Sequence, residues 1–204
     1  DASPYLADIV IADPEAWECV RAGRERPMRR DDLAAALDAE VDAAGDVHEI
    51  MRVLRRFKRR QTLRIAAGDI VAGQSLQTVV GQISHVADSV VAAALRGAER
   101  VVTGRSGTPR GPDGRQATIA VFALGKLGGA ELNYSSDIDL VFVHSDDGRV
   151  VGARPSTNQE FFERVVRETV RLLAEPTELG AAYRVDLRLR SHGTVGPASL
   201  SLAA

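Results

Sequence analysis

The chain has 204 residues, 45% of them hydrophobic and 26% charged, with a formal net charge of -2. Such a chain is long enough for one large domain or two small ones with a sizeable core. The balance argues against broad electrostatic binding of nucleic acid, which shows as a basic excess. The one cysteine, Cys19, excludes an intramolecular disulfide and fits a reducing compartment.

No apolar run approaches the roughly 18–20 residues needed to span a bilayer. The opening Asp1-Ala2-Ser3-Pro4 has neither the basic region nor the apolar stretch of a signal peptide. The expectation is a cytoplasmic protein with no membrane and no nucleic-acid partner, read as a segment of a longer chain.

The first hundred residues read as helix. Asp31-Asp32 suits a helix start, where acidic side chains favour the positive end of the dipole. Leu33, Ala36, Leu37 and Val41 follow at the spacing of a buried stripe, and Gly45 ends it. A second helix is predicted from about His48 to Ala72. It carries a dense basic run of Arg52, Arg55, Arg56, Lys58, Arg59, Arg60 and Arg64. That run reads either as a solvated face whose stems shield apolar surface or as a contact surface for an acidic or phosphate-bearing partner. A third helix is predicted from about Leu76 to Val102. Cys19 reads as a small apolar filler on a helix.

Gly104 to Arg115 is rich in turn formers and is the expected boundary. The predicted organisation is a helical region over 1–103, a flexible loop over 104–116, and a catalytic core over 117–204. Within that core, Ala117 to Leu124 reads as a buried strand and Gly125-Lys126-Leu127-Gly128-Gly129 as a turn. Ile138 to His144 reads as a second strand. Thr157 to Ala174 reads as an amphipathic helix with Thr157 and Glu160 as a capping box, ended by Pro176 and Gly180. Ala182 to Arg190 alternates strictly and reads as a third strand.

The chemistry centres on Ser135-Ser136-Asp137-Ile138-Asp139-Leu140. Side chains two apart on a strand share a face, so Asp137 and Asp139 project together while Ile138 and Leu140 face the core. Two carboxylates held side by side repel unless positive charge lies between them. Mg²⁺ (or Mn²⁺) suits such oxygen ligands. The upstream glycine turn lets the backbone approach phosphate, with Gly128, Gly129, Ser136 and Lys126 as candidate contacts. It matches neither the P-loop spacing nor a dinucleotide fingerprint. On the third strand Arg184, Asp186, Arg188 and Arg190 share a face. Asp186 is therefore a candidate third metal-binding and catalytic carboxylate, and Arg188 a candidate phosphate contact.

The stretch Gly125-Lys126-Leu127-Gly128-Gly129-x-Glu131-Leu132-Asn133-Tyr134-Ser135-Ser136-Asp137-Ile138-Asp139-Leu140 closely resembles the signature of the glutamine-synthetase adenylyltransferase/adenylyl-removing enzyme family. That family belongs to the polymerase-β-type nucleotidyltransferases. Tyr183 to Arg190 resembles its third-carboxylate strand, and Leu54 to Ala66 its lead-in helix, so the likeness spans roughly residues 48–204. It implies an α+β fold, with a helical lead-in followed by a nucleotidyltransferase-type mixed sheet and packed helices. It also implies glutamine synthetase, ATP/ADP, phosphate and a PII-type signalling protein as partners.

Asn133, Arg184 and Gly196-Pro197 resemble the half of the family enzyme that removes AMP by phosphorolysis. The adenylylating direction, and a non-catalytic nucleotide-sensing or protein-interaction module, are the alternatives. Ser191-His192-Gly193 departs from the family's Pro-Phe-Gly. His192 is there either a pocket residue or a tolerated loop change.

Overall fold

The computed structural model describes residues 3–23, 26–188 and 196–202. Five helices come first: α1 (Pro4–Ala12), α2 (Ala16–Gly23), α3 (Arg30–Ala43), α4 (Val47–Ile70) and α5 (Leu76–Ser106). There follow β1 (Thr108–Arg110), β2 (Ile119–Leu124), the single helical turn α6 (Gly125–Gly128), β3 (Ile138–His144) and β4 (Arg149–Val151). Helix α7 (Asn158–Ala174) and the short strands β5 (Val185–Asp186) and β6 (Ser199–Ser201) complete the order. The fold is α+β, a helical region followed by a mixed sheet with helices, as expected.

Local signals set most helix starts. Asp31 and Asp32 occupy the first turn of α3, whose Leu33, Leu37 and Val41 are fully buried. The Asp46 carboxylate caps α4 by accepting from the Glu49 amide at 2.8 Å, and the Ser75 hydroxyl caps α5 by accepting from Thr78. The capping box of α7 is present in both directions. Behind it Phe161, Phe162, Val165, Val166, Leu172 and Leu173 are buried. Helix α5 lies in the middle of the core and packs against α3, α4 and α7. By length and composition alone it is apolar enough to cross a membrane, contrary to the expectation for this chain. Its most apolar stretch is 67% buried within the protein, so it is the core helix.

The sheet is organised around β3. Strand β2 pairs antiparallel along one edge of it, with Leu124 opposite Asp139. Strands β5 and β6 both pair parallel on the other edge. Strand β5 meets the start of β3 and β6 meets its end, where Phe142, Val143 and His144 face Ser199, Leu200 and Ser201. His144 is fully buried there, bonded through Nδ1 to the Ser199 hydroxyl at 2.8 Å and stacked on Phe162. Burial holds its pKa below the ordinary imidazole value.

Several expectations need correction. Helix α5 continues to Ser106, and Thr108–Arg110 forms a ribbon with β4, so the segment after Gly104 is not one open loop. Strand β2 lies at the edge, and Phe122 is 55% exposed rather than buried. The glycine turn is a helical turn. The third strand is two residues long within the described part, although the alternation persists from buried Tyr183 to exposed Arg184 and Arg188. Leu189, Arg190 and the Ser191-His192-Gly193 segment lie outside the described residues.

The basic run of α4 departs furthest from expectation. Arg55 is 1% exposed and donates to the carbonyls of Met51, Leu172, Glu175 and Gly180. Arg64 is buried against the side-chain oxygens of Gln61 and Gln82. Arg60 forks onto Asp13 and reaches Glu15, Arg56 pairs with Glu40, and Arg59 lies over the Tyr5 ring. Lys58 lies 4.3 Å above the Tyr183 ring and donates to the Ala182 carbonyl. Burial, reinforced by the Arg55 charge, lowers its pKa to about 8. For buried Arg55 and Arg64 neither the solvated-face nor the contact-surface reading holds, whereas exposed Arg52 and the half-exposed Arg56 and Arg59 keep the solvated face. The run ties α4 to α1, α3 and the segment after α7.

Candidate active site

Three segments meet at the start of β3. The first is the end of β2 running into α6, the second is the loop from Asn133 to Asp137, and the third is β5. Ile138 and Leu140 are fully buried, which turns Asp139 to the opposite face, with exposed Asp137 just before the strand. Asp139 and Asp186 are direct partners in the parallel register. Neighbouring strands lie about 4.8 Å apart, so these two carboxylates are side by side. The structure thus brings together Asp137 before β3, Asp139 on it and the acidic residue of β5, which were legible separately in the sequence.

Gly125 fits this arrangement. Its φ is +54°, and a Cβ built there would lie 2.5 Å from Oδ2 of Asp139. A side chain at this position would push the carboxylate away. Gly128 sits over the Ala123 carbonyl, where a Cβ would come within 2.6 Å. The Gly129 amide donates to the Gly125 carbonyl and so closes the turn. Lys126 is exposed on the same turn.

Asn133 organises the loop before Asp137. Its Oδ1 accepts from the Ser135 amide at 3.1 Å and from the Ser136 hydroxyl at 2.7 Å, an Asx-type turn. Tyr134 reaches back to α4 and donates to Asp69 at 3.1 Å. Its hydroxyl pKa is raised by burial and by the Asp69 charge. Beside Tyr134 and Ser135 a cavity of about 670 Å³ opens toward α1 and α4, lined also by Leu6, Lys58, Thr62 and Gly180.

Arginines balance the carboxylates. Arg184 donates to Asp137 at 2.5 Å. The Arg188 guanidinium grips both oxygens of Asp186, and its amide donates to the same carboxylate at 2.8 Å. These side-chain and backbone hydrogen bonds hold the Asp186 carboxyl below the usual range. The hydrogen bonds to Asp186 raise the Arg188 pKa, and the charges of Asp139 and Asp137 add to this. With the acids turned to arginine, no group of three metal-ligating side chains is gathered for an ion among the described residues. The donor set is nevertheless all carboxylate oxygen, the chemistry that Mg²⁺ and Mn²⁺ prefer.

Sequence reasoning missed three contributors. Gly125 is the first glycine of the turn, and its place directly after a strand was the available signal. The Asn-x-Ser-Ser order signalled the Asn133 turn. The Arg184–Asp137 pair had no signal, because it depends on how β5 meets β3.

A family model for glutamate-ammonia ligase adenylyltransferase matches residues 1–204. A bifunctional glutamine synthetase adenylyltransferase/adenylyl-removing enzyme from Thioalkalivibrio sulfidiphilus is 37% identical over 197 residues, covering 96% of this chain and 20% of that protein. Its counterpart from Burkholderia mallei is 35% identical over 205 residues, covering 98% of this chain and 22% of that protein. The chain therefore spans about a fifth of the length of these curated relatives. With the match running its full length, the chain belongs to the glutamate-ammonia ligase adenylyltransferase family.

Proposed function

We propose that this chain carries a metal-dependent nucleotidyl-transfer site of a cytoplasmic enzyme acting on glutamine synthetase, in the direction that removes AMP from an adenylylated tyrosine. The observation that carries this reading is the pairing of Asp139 with Asp186 above Gly125. The names of the two relatives supply the substrate protein. Asn133, Arg184 and Gly196-Pro197, by their likeness to the adenylyl-removing half, supply the direction. A PII-type protein is the expected signalling partner. In this reading residues 117–204 hold the catalytic core and residues 1–103 support it.

Asp137, Asp139 and Asp186 would hold Mg²⁺ or Mn²⁺. Bound there, the metal would offset the clustered negative charge and stabilise charge developing on phosphoryl oxygens. The exposed Arg184 and Arg188 are free to swing from their carboxylates toward phosphate. Gly128, Gly129, Ser136 and Lys126 line the approach on the other side. An oxygen of inorganic phosphate forms a bond to the AMP phosphorus while the bond to the tyrosyl oxygen breaks. The products are ADP and tyrosine, the tyrosyl oxygen taking up a proton. Asp186, ionised to unusually low pH, either ligates metal or orients the attacking oxygen. The cavity beside Ser135 is the place for the modified tyrosine and its flanking residues.

The test is phosphate-dependent ADP release from adenylylated glutamine synthetase in the presence of Mg²⁺, comparing the parent with Asp139→Asn. Release that disappears in the variant supports the reading. ATP-dependent incorporation of AMP without any release would reverse the direction. Undiminished release from Asp139→Asn would remove the site.

A further inference from the structure

A second charged site lies on different elements. The end of α5, the loop after β4 and one face of α7 enclose a cavity of about 450 Å³, within the usual size range of small-ligand pockets. Arg105, Arg154, Arg164, Arg167 and Arg171 line it against the single carboxylate of Glu168. The three α7 arginines recur at spacings of three and four and so form one stripe.

Arg171 is engaged by Glu168 and Glu175, and Arg167 lies 4.0 Å from Glu163. Among the described residues, Arg105, Arg154 and Arg164 have no carboxylate within salt-bridge distance. Glu160, one turn before Arg164, is committed to the capping box through Thr157. Ser106 holds the Arg164 side chain and the Arg154 backbone. Its hydroxyl, 3% exposed as a residue, accepts from Arg164, and its carbonyl accepts from the Arg154 amide at 3.2 Å. Guanidinium groups converging from three chain segments repel one another unless an anion joins them.

We propose that this pocket binds a small phosphoryl-rich anion, such as a di- or triphosphate group, at a site separate from the carboxylates of β3 and β5. The planar forks of several arginines suit the many oxygens of a polyphosphate better than a single carboxylate. No lining residue is shared with the candidate active site, so this site stands or falls independently of the proposed reaction.

Calorimetric titration of the full chain with inorganic tripolyphosphate, at about 0.15 M salt to screen diffuse attraction, tests it. Without divalent cations the carboxylates of β3 and β5 repel the ligand, so the parent is expected to show saturable one-to-one binding. An Arg105→Gln/Arg164→Gln double variant should bind at least about tenfold more weakly, whereas Asp139→Asn should retain the parent affinity. Glu168→Gln removes the opposing charge and should tighten binding, a change that damaged folding would not produce. Citrate should bind more weakly than tripolyphosphate. Affinity unchanged in the double variant, or lost in Asp139→Asn instead, would overturn the proposal, as would equal binding of citrate.

Discussion

The same residue type is used in opposite ways in α4 and at the start of β3. Arg55 and Arg64 are desolvated, and each is matched to fixed oxygens of the protein. Removing either strands those oxygens away from water. Arg184 and Arg188 are 76% and 77% exposed at the side chain, and each holds a carboxylate whose other neighbours are carboxylates. Exposed pairs of this kind contribute little to stability. The first set is structural because its partners have no alternative. The second can be rearranged because water, phosphate or a cation replaces each partner at low cost.

The largest effect expected from this contrast is on turnover. Asp186→Asn should lower nucleotidyl transfer about a thousandfold, since metal assistance is worth several kcal/mol. Its thermal midpoint should match that of the parent. A variant that unfolds would merge the two regions into one class. The mirror image is Arg55→Met, which leaves the carbonyls of Leu172 and Glu175 without their donor, while that of Gly180 keeps the Thr177 amide. It should cost at least about 3 kcal/mol in denaturant unfolding, and Arg55→Lys should not restore it because an ammonium lacks the fork.

Gly125→Ala probes the boundary between the two classes. It strains a positive φ by about 1–2 kcal/mol and displaces Asp139, so turnover should fall about a hundredfold while the protein stays folded. Thr157→Ala removes only a helix cap and should cost about 1 kcal/mol with activity unchanged per folded molecule.

The smallest effect concerns pH. Arg188 holds the Asp186 pKa below its ordinary value, so the carboxylate stays ionised as pH falls through the usual carboxylate range. Arg188→Gln removes the guanidinium's share of that protection and keeps the backbone hydrogen bond. The acid limb of the pH–rate profile should then move to higher pH, with no matching change in the alkaline limb.

Period and cap were legible in the sequence, and pairing was not. The alternation of Ile138, Asp139 and Leu140 fixed which side chains face out, and the Thr157–Glu160 spacing fixed the start of α7, because both signals are local. Strands β4 and β6 have three residues each, too few to show a period, and exist because β1 and β3 offer edges to them. The burial of Arg55 had no signal either. Its carbonyl partners Leu172, Glu175 and Gly180 lie 117, 120 and 125 residues away, and a long cation alone in a sequence reads as exposed. The alternation and the family likeness marked Asp186 as a third carboxylate, and the register placed it beside Asp139.

That register also bears on the order of folding. Strands β2 and β3 are close in the chain, and their pairing closes a short loop around α6. Strand β5 reaches β3 across 47 residues and contributes only two paired positions, so it gains little until α7 has docked on α5. The acidic pair should therefore assemble after the core it rests on. Hydrogen exchange should find the β5 amides opening while those of β2 and β3 remain protected.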